Sequence, residues 1–501
     1  MRKTISQAQL LIWGSWGTRM YQRLLFAYRG AGTRARGVLV LLSFFVSHLI
    51  GQGSGRACLT AVALAAQSGA SSSFGSQASS ELLPEEFGAV GDGLHDDSAA
   101  FQAAVNAAEK QHSFAVIRLS AGKTYKICHA ITIDYRGQGQ ILRQGISFLG
   151  VGAKVFLYGS TGSFFAINVL LDGLPEQDTK VLFDGIWFYT DNVNRPNGIY
   201  TNYACFVTIR NCVFYQLWDA VSVEYGYKIS VLDCSFHGNH IGVKMFRTRD
   251  STIMACSAFG NEIGYWVEGV NDAGSDGNVS IINCNVGGGY VLGRIGIHMK
   301  RLYTPHLSDV IVESEKENGI LMESCQFANL NNIWLGPQGG AGLVVRTVSG
   351  GLDSAYWNIS NLTTQTETDL DRLMFSTLSN INIVGLGTNP SRTFLRMNDC
   401  HYLTVSNISG REFTARDVLS AVKIENSSSI LFQGGLIEGK PMLFAGPCRF
   451  CSVNGTVLQD TDLSFLTSPI DPTFRATFLH VVTSQGKADR VVVEKGRIES
   501  N

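Results

Sequence analysis

The sequence predicts an all-β chain, a parallel β-helix of three-strand coils closed at its N-terminal end by one helix. Two recurring phrases and their spacing carry that prediction. Between about residues 181 and 346 the first phrase sets two apolar pairs around a turn residue: Val207-x-Ile209, Asn211, Cys212-x-Phe214. It returns as Ile229-x-Val231, Asp233, Cys234-x-Phe236 and as Val279-x-Ile281, Asn283, Cys284-x-Val286. The second phrase starts at a small residue and alternates: Gly198-Ile199-x-Thr201, Ala220-Val221-x-Val223, Gly242-Val243-x-Met245, Gly264-Tyr265-x-Val267, Gly296-Ile297-x-Met299, Gly319-Ile320-x-Met322, Gly342-Leu343-x-Val345. From small residue to turn residue the step is 13 five times, and 19 only at Gly264→Asn283 and Gly342→Asn361. A period in the low twenties with strand-like alternation inside each unit is the mark of a solenoid. No unit buries its own apolar face, so neighbours must stack.

Composition agrees. The 501 residues are 45% apolar, ample for a core, and 54 glycines against 10 prolines suit many tight turns. A net charge of -1 gives no global attraction to nucleic acid or to an anionic membrane. Cys212, Cys234, Cys256 and Cys284 fall at one register just after the turn, which reads as a stacked row of small core residues. Zinc-like spacing occurs only at Cys448 and Cys451, with no second pair near, so no metal and no cofactor is expected. Gly287-Gly288-Gly289 lacks the strand-to-helix context of a phosphate loop.

Taken in order, residues 1–66 read as a leader: a basic stretch with arginines at 19, 23, 29, 34 and 36, an apolar run from Val38 to Ile50, and a second patch from Ala57 to Ala66. That pattern suits a signal peptide, or an uncleaved membrane anchor, and predicts a secreted, extracellular or periplasmic protein. Residues 67–81 are Ser/Gly-rich and read as a linker. The β-helix is assigned to residues 82–460 and a closing segment, with strands at Thr477–Val482 and Arg490–Val493, to 461–501. At its start a Gly91-Asp92-Gly93 turn precedes Asp96-Asp97-Ser98, whose oxygens suit the N-cap of a helix from Ser98 to Lys110. Phe101, Val105 and Ala108 form that helix's apolar stripe, fit to cover the open end of a solenoid. After Arg346 the register loosens, with strands expected at Trp357–Leu362, Asn380–Val384, Leu403–Ile408, Ile430–Ile437 and Cys451–Leu458.

The stretch FGAVGDGLHDDSAAFQAAV, with the following strand and AGKTYKI, resembles the N-terminal signature of the pectate-lyase-like right-handed β-helix superfamily. This branch includes rhamnogalacturonases, polygalacturonases and phage tailspike depolymerases. The resemblance implies a right-handed helix and an enzyme acting on polysaccharide, with catalytic groups on one outward strand. It belongs to the cap, so it identifies the fold better than the reaction. The polygalacturonase motifs themselves (an Asn-Thr-Asp triplet, paired Asp, Gly-His-Gly, Arg-Ile-Lys) are missing, and Gly238-Asn239-His240 is a poor echo of the third. His237 and His240 therefore read as turn or rim residues.

If the first and third positions after the small residue face inward, the second and fourth face out. Those positions are Tyr200, Ser222, Lys244, Trp266, His298, Leu321 and Val344, and Asn202, Glu224, Phe246, Glu268, Lys300, Glu323 and Arg346. Tyr200 aside, seven of these 14 carry an ionisable side chain, against one in eight on the strand before the turn, so chemistry is expected on this face. Segments Val270–Gly277 and Gly287–Leu292 are expected to rim it. With coils ~4.8 Å apart, such rows form a groove suited to an extended acidic or complex sugar chain. Tyr200, Lys244, Trp266, His298, Lys300 and Glu323 are candidates for holding it.

Two reactions fit. Hydrolysis needs two carboxyls, and Glu224 and Glu268 are expected roughly 9–10 Å apart, near the ~6.5–9.5 Å of inverting enzymes. Asp219 and Glu262, at the groove side of the same coils, are the alternative carboxyls. β-Elimination on a uronate polymer would instead use Lys244, His298, Lys300 and Arg346. A non-catalytic binding surface is the third reading. Nothing in the sequence points to nucleic acid or to a particular oligomer.

Overall fold

The computed structural model describes residues 81–500, apart from 112–113, 137–144, 172–179, 192, 271–276, 289–292, 338, 385–392, 412–419, 441, 446, 460–462, 466–474, 484–485 and 495–496. The expected leader and nearly all of the linker therefore lie outside the described residues, as does most of each segment expected to rim the groove. The described chain belongs to one compact unit, Ala78–Asn501.

That unit is a right-handed parallel β-helix. Fourteen strands, from Ile131–Asp134 to Leu463–Phe465, stack in parallel as one face, and the other two strands of each coil form the second sheet. A representative coil runs Asp219–Glu224, Ser230–Leu232 and Ser235–His237. The last two are separated by Asp233, which is left-handed, as are Asn211, Ala255, Asn283, Asp309, Asn332 and Asn361 at the same register. Asn and Asp tolerate that conformation because their short side chains bond locally, which explains the turn residue of the first phrase. From His306–Glu313 onward the two short strands run together, with the left-handed residue bending one longer strand.

Small residues open the second phrase for a steric reason. A Cβ on Gly242 would lie 2.5 Å from the carbonyl oxygen of Gly264, and one on Gly264 would lie 2.5 Å from that of Gly296. Inside the coils, rows of like side chains stack. Phe188, Phe214 and Phe236 are fully buried, their rings 5.2 and 5.1 Å apart and nearly parallel. The cysteine row is inward, with Ile186 before it and Val310 after it in register. Cysteine does more there than fill space: the thiols of Cys234, Cys256 and Cys284 lie 3.2–3.3 Å from the carbonyl oxygens just before the left-handed residues. Each of these carbonyls also accepts the backbone N–H of the left-handed residue one coil before, so the weak S–H donors add a second bond to acceptors that are already paired.

The helix spans Ser98–Glu109, with Phe101, Val105 and Ala108 buried. Its N-terminus differs from the expectation in one respect. Asp97 occupies the cap position but makes no capping bond; its carboxylate accepts from the backbone N–H of Val90 at 2.7 Å and of Lys126 at 3.2 Å. Asp96 supplies the local oxygen, accepting from Ser98 N–H at 3.0 Å. The Gly91-Asp92-Gly93 turn is present, with both glycines left-handed and Asp92 accepting from the Leu94 and His95 N–H groups, and segment Asp92–Asp96 pairs with Thr124–Ile127 only at its two ends. The strands expected after Arg346 are found at Asn358–Thr364, Leu373–Val384, His401–Arg411, Ser428–Glu438 and Ser452–Gln459. At the far end Arg475–Thr483 stacks in parallel, and Gly486–Glu494 and Arg497–Ser500 fold back antiparallel.

Candidate active-site groove

Strand alternation fixes what the fourteen-stranded face shows. Ile199, Val221, Val243, Tyr265, Ile297 and Ile320 point into the core; of the residues after them, Tyr200, Lys244, Trp266 and His298 are part-exposed on the outer side, while Ser222 and Leu321 are covered. Backbone pairing then aligns Tyr200 with Ser222, Lys244, Trp266, His298 and Leu321. A second register aligns Glu224, Phe246, Glu268, Lys300, Glu323 and Arg346. Glu224 and Glu268 thus share a register two coils apart, as the spacing predicts.

The two carboxylates have different company. Glu224 accepts a hydrogen bond from the Tyr200 hydroxyl at 2.8 Å, and that phenol is held well above its ordinary pKa, first by burial and then by this bond. Glu268 lies 3.1 Å from the Lys300 ammonium. Phe246 stands between them in register, and its ring meets the Tyr225 ring edge to face at 5.9 Å. Trp266 projects beside Glu268 on the same strand, 5.5 Å from the His298 ring and 5.6 Å from the Lys244 ammonium.

A third outward register begins each strand and includes residues the sequence reading set aside. Trp218 stacks on His240 with ring centres 3.9 Å apart and planes 7° from parallel. His240 Nδ1 is 3.2 Å from Asp219 and Nε2 is 3.8 Å from Glu262; Glu262 is 3.7 Å from Arg294, which is 4.0 Å from Glu317. His240 is therefore a groove residue between two carboxylates, where a rim position was expected. Buried Asn239 and Asn261 hold this register. Asn239 bonds Asn261 and the Phe214 carbonyl, and each precedes a groove residue in the chain. Asp219 sits deeper than expected, 8% exposed, because it shares its register with Ile241, Ile263 and Ile295.

Glu323 also differs from its expected role. It is 5% exposed, with one oxygen 2.9 Å from His298 and the other 2.6 Å from Arg346. The bond to His298, with help from Arg346, lowers its pKa to about 2 despite burial. It is a fixed anion that orients the His298 ring and the Arg346 guanidinium, with little surface left for a ligand. Glu315, buried against Gly293, shifts the other way: burial raises its pKa to about 8.

The face continues past Arg346, where the sequence reading stopped. Asp369, Arg396 and Lys423 follow one register, and Asp371, Asn398 and Glu425 the other. Arg396 is 3.7 Å from Asp369 and 3.0 Å from Glu425; Lys423 is 2.6 Å from Glu425. Burial raises the pKa of both Asp369 and Glu367. The signal was present in Ala421-Val422-x-Ile424, which repeats the second phrase. Uneven steps from Val344 to Asp369 to Arg396 concealed it. Among the described residues, no three His, Cys, Asp or Glu side chains converge so as to hold a metal ion.

Residues 186–341 match the family model described as the right-handed beta helix region. No curated protein matches the chain by sequence. Among solved structures it is similar to tailspike protein 3 of bacteriophage CBA120, at 12% identity and a TM-score of 0.50, covering 80% of this chain and 61% of the tailspike. It is also similar to PfbA, a surface adhesin of Streptococcus pneumoniae (13% identity, TM-score 0.43, 84% of this chain, 99% of that one). A third is the catalytic unit of a GH87 alpha-1,3-glucanase from Streptomyces thermodiastaticus (10% identity, TM-score 0.41, 78% of this chain, 67% of that one). The coil register, the matched region and the tailspike likeness agree: the chain is a right-handed parallel β-helix protein.

Proposed function

We propose that this protein cuts an extended polysaccharide lying along the fourteen-stranded face, by hydrolysis between Glu224 and Glu268. The observation that carries the reading is their shared register two coils apart, with a cation, among the described residues, beside only one of them. At ~4.8 Å per coil the carboxyls are roughly 9–10 Å apart, close to the separation that leaves room for water in inverting hydrolysis. Glu268, 3.1 Å from the Lys300 ammonium, takes a proton from the attacking water. Glu224, bonded only by the Tyr200 hydroxyl at one oxygen, is the carboxyl placed to protonate the leaving glycosidic oxygen. Trp266 offers an apolar face to a sugar ring beside Glu268, and the Asp219–His240–Glu262 set offers hydroxyl partners along the strand starts.

The test is a set of conservative variants assayed for new reducing ends. Glu224→Gln and Glu268→Gln are each expected to lower kcat by about 10²–10⁴-fold with unchanged unfolding, the usual worth of a general acid or base. Glu262→Gln, as a binding residue, is expected to raise KM with a smaller loss of kcat. Full cleavage by Glu268→Gln would contradict the assignment.

A further inference from the structure

We infer that the groove takes a neutral sugar chain and turns polyanions away; this rests on the hydrolytic reading above and adds its substrate class. The argument is the charge balance of the face. Its outward registers carry six cations between Asp219 and Glu425: Lys244, Arg294, Lys300, Arg346, Arg396 and Lys423. Each lies within 4.0 Å of a carboxylate of the chain itself. Arg346 is tied to Glu323 through two nitrogens, at 2.8 and 2.6 Å.

Beyond these pairs stand more carboxyls. Glu367 and Asp371 lie on the same face, and among the described residues neither forms an ion pair with a cation. The face therefore has an excess of negative groups and no uncommitted cation among its described residues. A uronate or sulfate entering it would meet carboxylates first. To gain a Lys or Arg it would have to displace an internal partner, leaving that carboxylate uncompensated in a half-buried place. Like-charge juxtaposition of that kind weakens binding and is a common way of excluding wrong partners.

Neutral sugars meet no such barrier. A hydroxyl donates to a carboxylate with its hydrogen and accepts from an ammonium with its lone pair, so each existing ion pair is a ready two-sided partner. Trp218, Phe246 and Trp266 provide apolar surface between the pairs. The same balance disfavours elimination, which needs a free cation to neutralise the uronate carboxylate at the reacting carbon.

The experiment is affinity electrophoresis of the full chain in gels containing a neutral polymer (curdlan, galactomannan or dextran) or an acidic one (polygalacturonate or alginate), at low and at raised salt. Expected is retardation by at least one neutral polymer, changing less than about two-fold across a salt range that shortens the Debye length from ~30 to ~8 Å, and none by the acidic ones. Glu317→Lys places a cation at the half-exposed end of the Arg294 pair, outside the proposed acid and base. It is expected to gain retardation by polygalacturonate that salt abolishes. Retardation of the parent chain by an acidic polymer, lost at least ten-fold with salt, overturns the inference while leaving the groove reading in place. Retardation by no polymer overturns the groove reading, and the inference with it.

Discussion

The inward row Ile186, Cys212, Cys234, Cys256, Cys284 and Val310 and the outward row Tyr200, Ser222, Lys244, Trp266 and His298 are built on the same coils and obey the same spacing. They differ in what repeats. Inside, coil after coil uses a side chain of similar size and polarity, because each residue must fit the one above and the one below. Outside, the register repeats while the chemistry changes at every step. Packing sets only the spacing of that face and leaves its mixture of rings, carboxylates and cations free to change from coil to coil.

The largest test of that contrast is a pair of truncations in one coil system. Phe214→Ala empties the middle of a buried ring stack and is expected to cost about 3–5 kcal/mol in denaturant unfolding. Phe246→Ala, on the outward face, is expected to cost less than about 1.5 kcal/mol, as for a side chain that leaves no core cavity. Equal losses would erase the distinction between the rows.

Charged groups sharpen it next. Glu323 has a folded pKa depressed from 4.5 to about 2, so its stabilisation is present above about 4.5 and is lost as pH falls toward 2. Glu323→Gln is expected to lose on the order of 3 kcal/mol at neutral pH, with parent and variant converging near pH 2. A gap that is the same at pH 2 and pH 7 would mean the His298 and Arg346 contacts contribute through shape alone.

Glu315 has the opposite sign. Its folded pKa is raised from 4.5 to about 8, so its contribution is full below about 4.5 and declines as pH rises toward 8. Glu315→Gln removes that decline, and between pH 6 and 7 the variant is expected to gain on the order of 1 kcal/mol on the parent. Parallel stability curves from pH 5 to 8 would show that the Glu315 carboxyl is ionised where it lies.

Sequence spacing made the interior legible because one residue there, the left-handed Asn211 or Asp233, marks the same bend in each coil. The outward registers followed by simple alternation, and Glu224 and Glu268 were placed correctly by counting. What counting missed depended on depth and on partners. The 8% exposure of Asp219 comes from its isoleucine neighbours in other coils, and His240 became a groove residue by stacking on Trp218 from the coil before. The later coils were hidden because their insertions break the period, although Ala421-Val422-x-Ile424 keeps the phrase intact.

One assay reaches the centre of this account: the full chain incubated with neutral and uronate polysaccharides, followed at once for new reducing ends and for the ultraviolet absorbance of unsaturated uronate. The account predicts new ends from a neutral polymer with no rise in absorbance, and loss of those ends in Glu268→Gln. New ends with rising absorbance would contradict it, because the chemistry would then be elimination and would belong to the lysines and His298.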